Sequence, residues 1–248
     1  QKNKLALDDT NLNRLVPLLT DAERKIVDAL PKSFVDRYID WASGLTDAAK
    51  QYHQVGGFVL LSSLLCGSVG LPTSHGLLVP NLWFMILAET TLTRKTTAMD
   101  IPMDLLAEVD ESAIMATDGS LEGLFTNLSM RPKKPSVFLR DEFSGLIDAM
   151  TKKDYMAGMP EMLTKLYDGK FQRRLLRKEV IEIRDPRLII LGGGIKNKVT
   201  GSLTFEHVGS GFLPRFIFVT AEGDVNKLKP MGPPTKVTTG VRDTLLDE

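Results

Sequence analysis

Six consecutive apolar residues, Leu82 to Leu87 (LWFMIL), leave this chain few folds to choose from. The run has no polar face and is too short for a core-spanning helix. It predicts a strand buried on both sides, as in the middle of a parallel sheet covered by helices. The pattern recurs. Ser112 to Thr117, Val137 to Leu139, Leu188 to Leu191 (LIIL) and Phe216 to Val219 (FIFV) predict four further strands. Helical patterns separate the first three, from about Lys95 to Val109 and from Ser120 to Met130. Alternation of this kind predicts an α/β domain with a mostly parallel sheet over residues 79–225.

Residues 1–78 predict an N-terminal helical region. Leu5 to Leu19 has apolar residues at irregular helical spacing, and Thr20-Asp21-Ala22-Glu23 reads as a helix cap with an acid three residues on. Phe34, Tyr38, Ile39 and Trp41 mark a second helix, and Leu45-Thr46-Asp47 the start of a third. Pro72 and Pro80 bracket a loop, and residues 226–248, entered through the KPMGPPTK stretch, predict a C-terminal linker or tail. Val55 to Leu71 is the only candidate membrane span, but its 17 residues include four glycines and four serines or cysteine. A span wants ~20 predominantly apolar residues, so this segment predicts a buried helix of a soluble protein.

Composition removes several classes of function. Lys+Arg and Asp+Glu both number 31, which argues against a histone-like basic protein. A single cysteine, Cys66, excludes an internal disulfide framework and a cysteine-based zinc cluster, and points to the cytoplasm. His53, His75 and His207 lack metal-ligand spacing. No G-x-G-x-x-G follows the first strand and no G-x-S-x-G occurs, so dinucleotide and serine-hydrolase sites are not indicated. The chain, from Gln1 to Glu248, is expected to be a piece of a longer protein.

The loop after the first strand reads Ala88-Glu89-Thr90-Thr91-Leu92-Thr93-Arg94-Lys95-Thr96-Thr97. Lys-Thr-Thr at a helix start after a buried strand is the placement a phosphate-binding loop needs. Helix N-terminal amides hold phosphate, a lysine reaches the β/γ oxygens, and a hydroxyl holds Mg²⁺. Thr93, Arg94, Lys95, Thr96 and Thr97 are therefore the candidate contacts to ATP, with Thr96 on the metal. The usual pattern, G-x-x-x-x-G-K-[ST], is not met: its glycine slots hold Glu89 (or Ala88, with one extra residue) and Arg94. The bland alternative is an ordinary strand–loop–helix with a basic first turn.

Val137-Phe138-Leu139-Arg140-Asp141-Glu142 adds an apolar strand ending in two acids. In phosphate-loop NTPases an aspartate there assists Mg²⁺ and a following glutamate polarises the attacking water, which assigns Asp141 to the metal and Glu142 to catalysis. Its alternative is a solvated strand end. Between Lys95 and Asp141 the pattern supplies helix, strand and helix, the arrangement of additional-strand P-loop ATPases such as AAA+ and RecA-like motors.

Taken together, these stretches resemble the P-loop ATPase domain of phage- and plasmid-type primase-helicase proteins, similar to superfamily-three ring motors. The resemblance is carried by YHQVGGFVLLSSLL, VPNLWFMILAETTLTRKTTAMD, GSLEGL, SVFLRDEFSGLI, DPRLIILGGG and GFLPRFIFV, over about residues 34–222. Members often have arginine before the loop lysine, as Arg94 does; the missing glycine at 88 or 89 is a departure. The resemblance implies an ATP- and Mg²⁺-dependent translocase or helicase acting in replication of a mobile element. It also implies a homo-oligomeric ring, expected to be a hexamer, on single-stranded or forked DNA. It assigns Asn197, in preference to Lys196, as a sensor of the γ-phosphate, and Arg215 as an arginine finger acting on a neighbouring subunit. Alternatives are a glycine-rich turn with solvated polar residues, and an arginine capping the last strand.

Lys170 to Lys178 is basic, and Val180 to Arg184 alternates β-branched and charged residues, so a hairpin fits. Hexameric helicases similar to superfamily-three motors project a hairpin at this place into the pore. Arg173, Arg174, Arg177 and Lys178 are the corresponding DNA-phosphate candidates, against a solvated basic face or a subunit contact. A rival of another class is a nucleotide-binding regulatory or defence module without motor activity.

Overall fold

The computed structural model describes residues 19–74, 76–89, 93–116, 121–152, 158–175, 180–203, 209–221 and 236–247. Two compact units result, residues 1–33 and residues 34–248. In the first, helix α1 (Asp21–Asp28) starts at the expected cap. The Thr20 hydroxyl accepts from the Glu23 amide, and the Glu23 carboxylate accepts from the Thr20 amide, which holds that carboxyl below its usual range. None of its residues is buried.

The second unit is built on a four-stranded parallel sheet flanked by helices. Strand β3 (Trp83–Ala88) is central and buried at all six positions. It pairs in parallel with β7 (Arg187–Ile195) on one side and with β8 (Phe216–Thr220) on the other. β4 (Pro135–Arg140) pairs with the far side of β7, so the order across the sheet is β4-β7-β3-β8. The period of two explains the unbroken apolar run. Trp83, Met85 and Leu87 enter one core with Phe125, Phe143, Leu188 and Phe212. Phe84 and Ile86 enter the other with Tyr38, Tyr52, Met99, Leu106 and Ile189. Trp83 also donates its indole N–H to the Leu188 carbonyl at 2.8 Å, which ties β3 to β7 through a side chain.

Helices α2 (Phe34–Leu45) and α3 (Lys50–Leu65) cover the second of these faces. They approach closely because Gly56 and Gly57 meet Tyr38 and Val35. A Cβ on Gly56 would lie 2.7 Å from the Tyr38 hydroxyl oxygen. Two of the four glycines that dilute the Val55 to Leu71 segment, Gly56 and Gly57, are thus a helix-packing device, and no helix among the described residues is long and apolar enough to cross a membrane. α4 (Lys95–Asp110) follows β3 and packs on the same face.

Some elements differ from expectation. Of the strand expected over Ser112 to Thr117, described to residue 116, there remains one parallel bridge, Ile114 with Val137, plus the Met115 amide donating to the Val137 carbonyl at 2.9 Å. A 3₁₀ turn, Glu111–Ala113, takes up its first half because Asp110-Glu111-Ser112 has no β-branched or apolar residue to pair. The stretch between Pro72 and Pro80 is a small hairpin, β1 (Leu71–Thr73) with β2 (Gly76–Leu78), rather than an unpaired loop. The tail contains α9 (Lys236–Leu246), whose Leu245 is buried and whose Arg242 pairs with Glu108 of α4.

Candidate functional site

β3 ends at Ala88 and the helix α4 begins at Lys95; residues 90–92 lie outside the described part. Thr93 is buried, and Arg94 has left-handed backbone angles, φ 47° and ψ 37°. Left-handed followed by helical geometry turns successive backbone N–H groups into one concavity, a nest suited to anions. The side chain at the N-cap makes no capping hydrogen bond to the first turn of α4, so those amides and the positive end of a 16-residue helix face the same place.

The carboxylate partner arrives from β4. Lys95 Nζ makes an ion pair with Asp141 Oδ1, and the Thr96 hydroxyl donates to Asp141 Oδ2 at 2.7 Å. β7 runs between the two parent strands, and its backbone forms the floor. A Cβ on Gly193 would sit 2.7 Å from Lys95 Nζ, 2.8 Å from Met99 Sδ and 2.9 Å from Asp141 Oδ1. Only a hydrogen there lets the ammonium and the carboxylate meet. Gly192 and Gly194 point to the other face, against Met85, Phe143 and Val199. The three glycines are therefore buried inside the strand, which excludes the alternative of a glycine-rich turn there.

Burial lowers the Lys95 pKa, and the carboxylates of Glu142 and Asp100 oppose that shift. Glu142 is exposed, immediately before α6 (Phe143–Lys152). Thr97 is half-buried in the first turn of α4. Asn197 is exposed in the first turn of α8 (Lys196–Ser202), which leaves the end of β7. Lys196 Nζ lies 3.9 Å from Glu89 Oε1. Lys95, Thr96, Asp141, Glu142 and Asn197 thus gather at the carboxyl ends of three adjacent strands, where ligands of parallel α/β sheets bind.

The remaining candidates lie elsewhere. Arg215 closes a 3₁₀ turn (Leu213–Arg215) directly before β8, at the amino end of the sheet. From the Trp83 level to the Ala88 level is about 17 Å at ~3.3 Å per residue. Its guanidinium is held by both oxygens of Asp168, at 2.8 and 2.9 Å, and by the Gly211 carbonyl at 2.7 Å, and it lies over the Tyr167 ring. The hairpin is present as β5 (Gln172–Leu175) with β6 (Val180–Ile183). Exposed Arg173 pairs with Glu182 opposite it at 3.2 Å. Arg174 faces the other way, half-buried over the Phe125 ring and 3.5 Å from Met159 Sδ. Arg177 and Lys178 lie outside the described residues.

Three contributors escaped the sequence: Gly193, Asp47 and Tyr52. Asp47 Oδ1 makes an ion pair with Arg94 Nε, and the Tyr52 hydroxyl donates to the Leu87 carbonyl at 3.3 Å. A glycine inside an otherwise apolar strand is the signal that could have found the first. Compared with known families and with curated proteins, the chain matches no family and no individual protein.

Proposed function

We propose that this chain is a phosphate-loop ATP hydrolase. The observation that carries the reading is the meeting of Lys95, Thr96 and Asp141 over the bare Cα of Gly193, at the mouth of a left-handed-to-helical turn. Strand order supports it: β7 stands between the lysine strand and the acid strand, as in additional-strand P-loop ATPases. The inserted strand is β7, not the segment between Lys95 and Asp141.

A Mg²⁺ ion fits these residues. Mg²⁺ on nucleotide phosphates keeps several waters and takes one or two protein oxygens, and the Thr96 hydroxyl with the Asp141 carboxylate supplies that set. Among the described residues no group of three or more His, Cys, Asp or Glu could form an all-protein metal site. The ion would neutralise charge on the phosphates. Lys95 would exchange Asp141 for phosphate oxygens, and the loop amides would hold the anion. Glu142, exposed and next to the metal carboxylate, would take the proton of the attacking water as the γ-phosphorus–oxygen bond to ADP breaks. Asn197 would orient that water or the γ-phosphate. Arg215, at the far end of its own sheet, could serve only another copy's site, which suits a ring.

The extension to a DNA motor rests on the position of the basic hairpin. A nucleotide-binding module without motor activity is the second reading, favoured by one observation: both described hairpin arginines are engaged within the chain, Arg173 by Glu182 and Arg174 against Phe125. ATP binding and phosphate release in the parent, Lys95→Ala and Glu142→Gln proteins test the hydrolase reading. Stimulation of hydrolysis by single-stranded DNA separates motor from module.

A further inference from the structure

Arg94 occupies the slot that the usual phosphate loop gives to glycine, and it does so at φ 47°. A side chain in that left-handed conformation is strained, a cost that glycine avoids. Such a residue persists only where its surroundings over-determine it. Here the determinant is visible. Arg94 Nε meets Asp47 Oδ1, and the Asp47 side chain is only 6% exposed, so its charge is committed to the interior rather than to solvent.

Asp47 is itself held. It lies in the turn between α2 and α3, where the buried Thr46 hydroxyl accepts from the Ala48 amide at 3.3 Å. Five residues on, fully buried Tyr52 grips the other side of the same loop. Its hydroxyl donates to Leu87 near the end of β3, and its oxygen also faces the Thr93 side chain and the Ala221 backbone. The helical pair therefore touches the loop at its entry through Tyr52 and at its exit through Asp47.

We infer that Asp47 is a positioning residue for the phosphate loop. Through Arg94 it enforces the left-handed backbone that other loops obtain from glycine, so polyphosphate affinity depends on the α2–α3 turn. The inference rests on the hydrolase reading above, because it presumes that the loop binds phosphate. Asp47 is nearly enclosed, so its pairing with Arg94 is screened less than an exposed ion pair is.

The test is a double-mutant cycle read as Mg·ATP affinity by calorimetry, well below the unfolding temperature, with thermal unfolding recorded alongside. Asp47→Asn in the parent should weaken Mg·ATP about tenfold, the factor that corresponds to ~1.4 kcal/mol of lost backbone restraint. In an Arg94→Gly background the same Asp47→Asn change should alter affinity less than about twofold, since glycine needs no anchor. An Asp47→Asn protein that melts earlier but binds Mg·ATP as the parent does would make the pair merely structural and overturn the inference. So would equal losses in both backgrounds, or abolished binding in Arg94→Gly, which would mean that the guanidinium and not the loop shape is needed. A parent that binds no Mg·ATP overturns the hydrolase reading and this role with it, an outcome distinct from failure of the cycle in a protein that binds.

Discussion

Lys95 Nζ and Asp141 Oδ1 meet directly above Gly193, so the ion pair of the candidate site exists only because one residue of an intervening strand has no side chain. Sheet order brings the two residues together and Gly193 sets how closely they approach. Nucleotide chemistry in this chain would depend on all three.

Gly193→Ala should therefore separate function from folding. The atoms that a new Cβ would crowd are the mobile tips of Lys95, Met99 and Asp141, so the strand can accommodate it by moving those tips. Mg·ATP affinity should fall at least ~tenfold, for a loss of about 1.4 kcal/mol. The far-UV circular dichroism should be that of the parent. Gly201→Ala, with nothing within 4 Å of its Cβ position, is the control and should change neither quantity.

Stability should fall with acidity in a window set by His53. That side chain is fully buried, neither ring nitrogen has a hydrogen-bond partner among the described residues, and burial pushes its pKa down to about 4. The unfolded chain takes up the proton near pH 6.5, the folded chain only near 4. As pH falls between those values the unfolded state binds more protons, and stability drops by up to about 3 kcal/mol. Above pH 6.5 His53 contributes no slope. Urea unfolding of parent and His53→Leu across pH 4 to 7 measures it by difference, which cancels the carboxylates. A slope unchanged in His53→Leu would remove His53 as the cause.

Two candidate roles of Arg215, a strand cap and an arginine finger, predict different mutants. Its bidentate grip on partly exposed Asp168 should contribute on the order of 1 kcal/mol, and Asp168→Asn and Arg215→Ala should each lose about that much. An arginine finger predicts an asymmetry: only Arg215→Ala should slow hydrolysis while leaving ATP binding intact. Mixing Arg215→Ala with Glu142→Gln protein should then restore part of the rate, because some interfaces regain both a finger and a base. Equal effects of the two substitutions on hydrolysis, with no rescue on mixing, would leave Arg215 a capping residue.

How much of this was legible in the sequence follows from how local each determinant is. The strands at Leu82–Leu87, Leu188–Leu191 and Phe216–Val219 were readable because double-sided burial leaves an unbroken apolar run. The hairpin was readable from alternation, but not the fate of its arginines, because Glu182 and Phe125 come from outside the basic stretch. The strand at Ser112–Thr117 misled because, among its described residues, pairing is limited to Ile114 and Met115 against Val137. Gly193 was legible only as a glycine within an apolar strand, and Asp47 not at all: their partners, Lys95 and Arg94, lie 98 and 47 positions away, and no local pattern encodes such a meeting.

The hairpin offers a test of nucleic-acid binding that uses its internal pairing. If its cations contact phosphate, Glu182→Gln should release both Arg173 and Arg184, which share that carboxylate, and strengthen single-stranded DNA binding. The salt dependence should then steepen by up to ~0.7 log units per log salt for each added contact. Fluorescence anisotropy at several salt concentrations measures both. An unchanged slope would put any DNA path elsewhere.

If Lys95, Thr96, Asp141 and Glu142 form an ATP-hydrolysing site, binding and turnover should separate in two variants. Mg·ATP binding by calorimetry and phosphate release under excess ATP are followed in the parent, Lys95→Ala and Glu142→Gln. The parent should bind and turn over. Lys95→Ala should lose binding, because the ammonium neutralises phosphate charge in the ground state. Glu142→Gln should bind as tightly as the parent yet release phosphate at least ~100-fold more slowly, the usual weight of a general base. Turnover in Glu142→Gln equal to the parent's would contradict the assignment of the base, and Mg·ATP binding unaffected by Lys95→Ala would contradict the site.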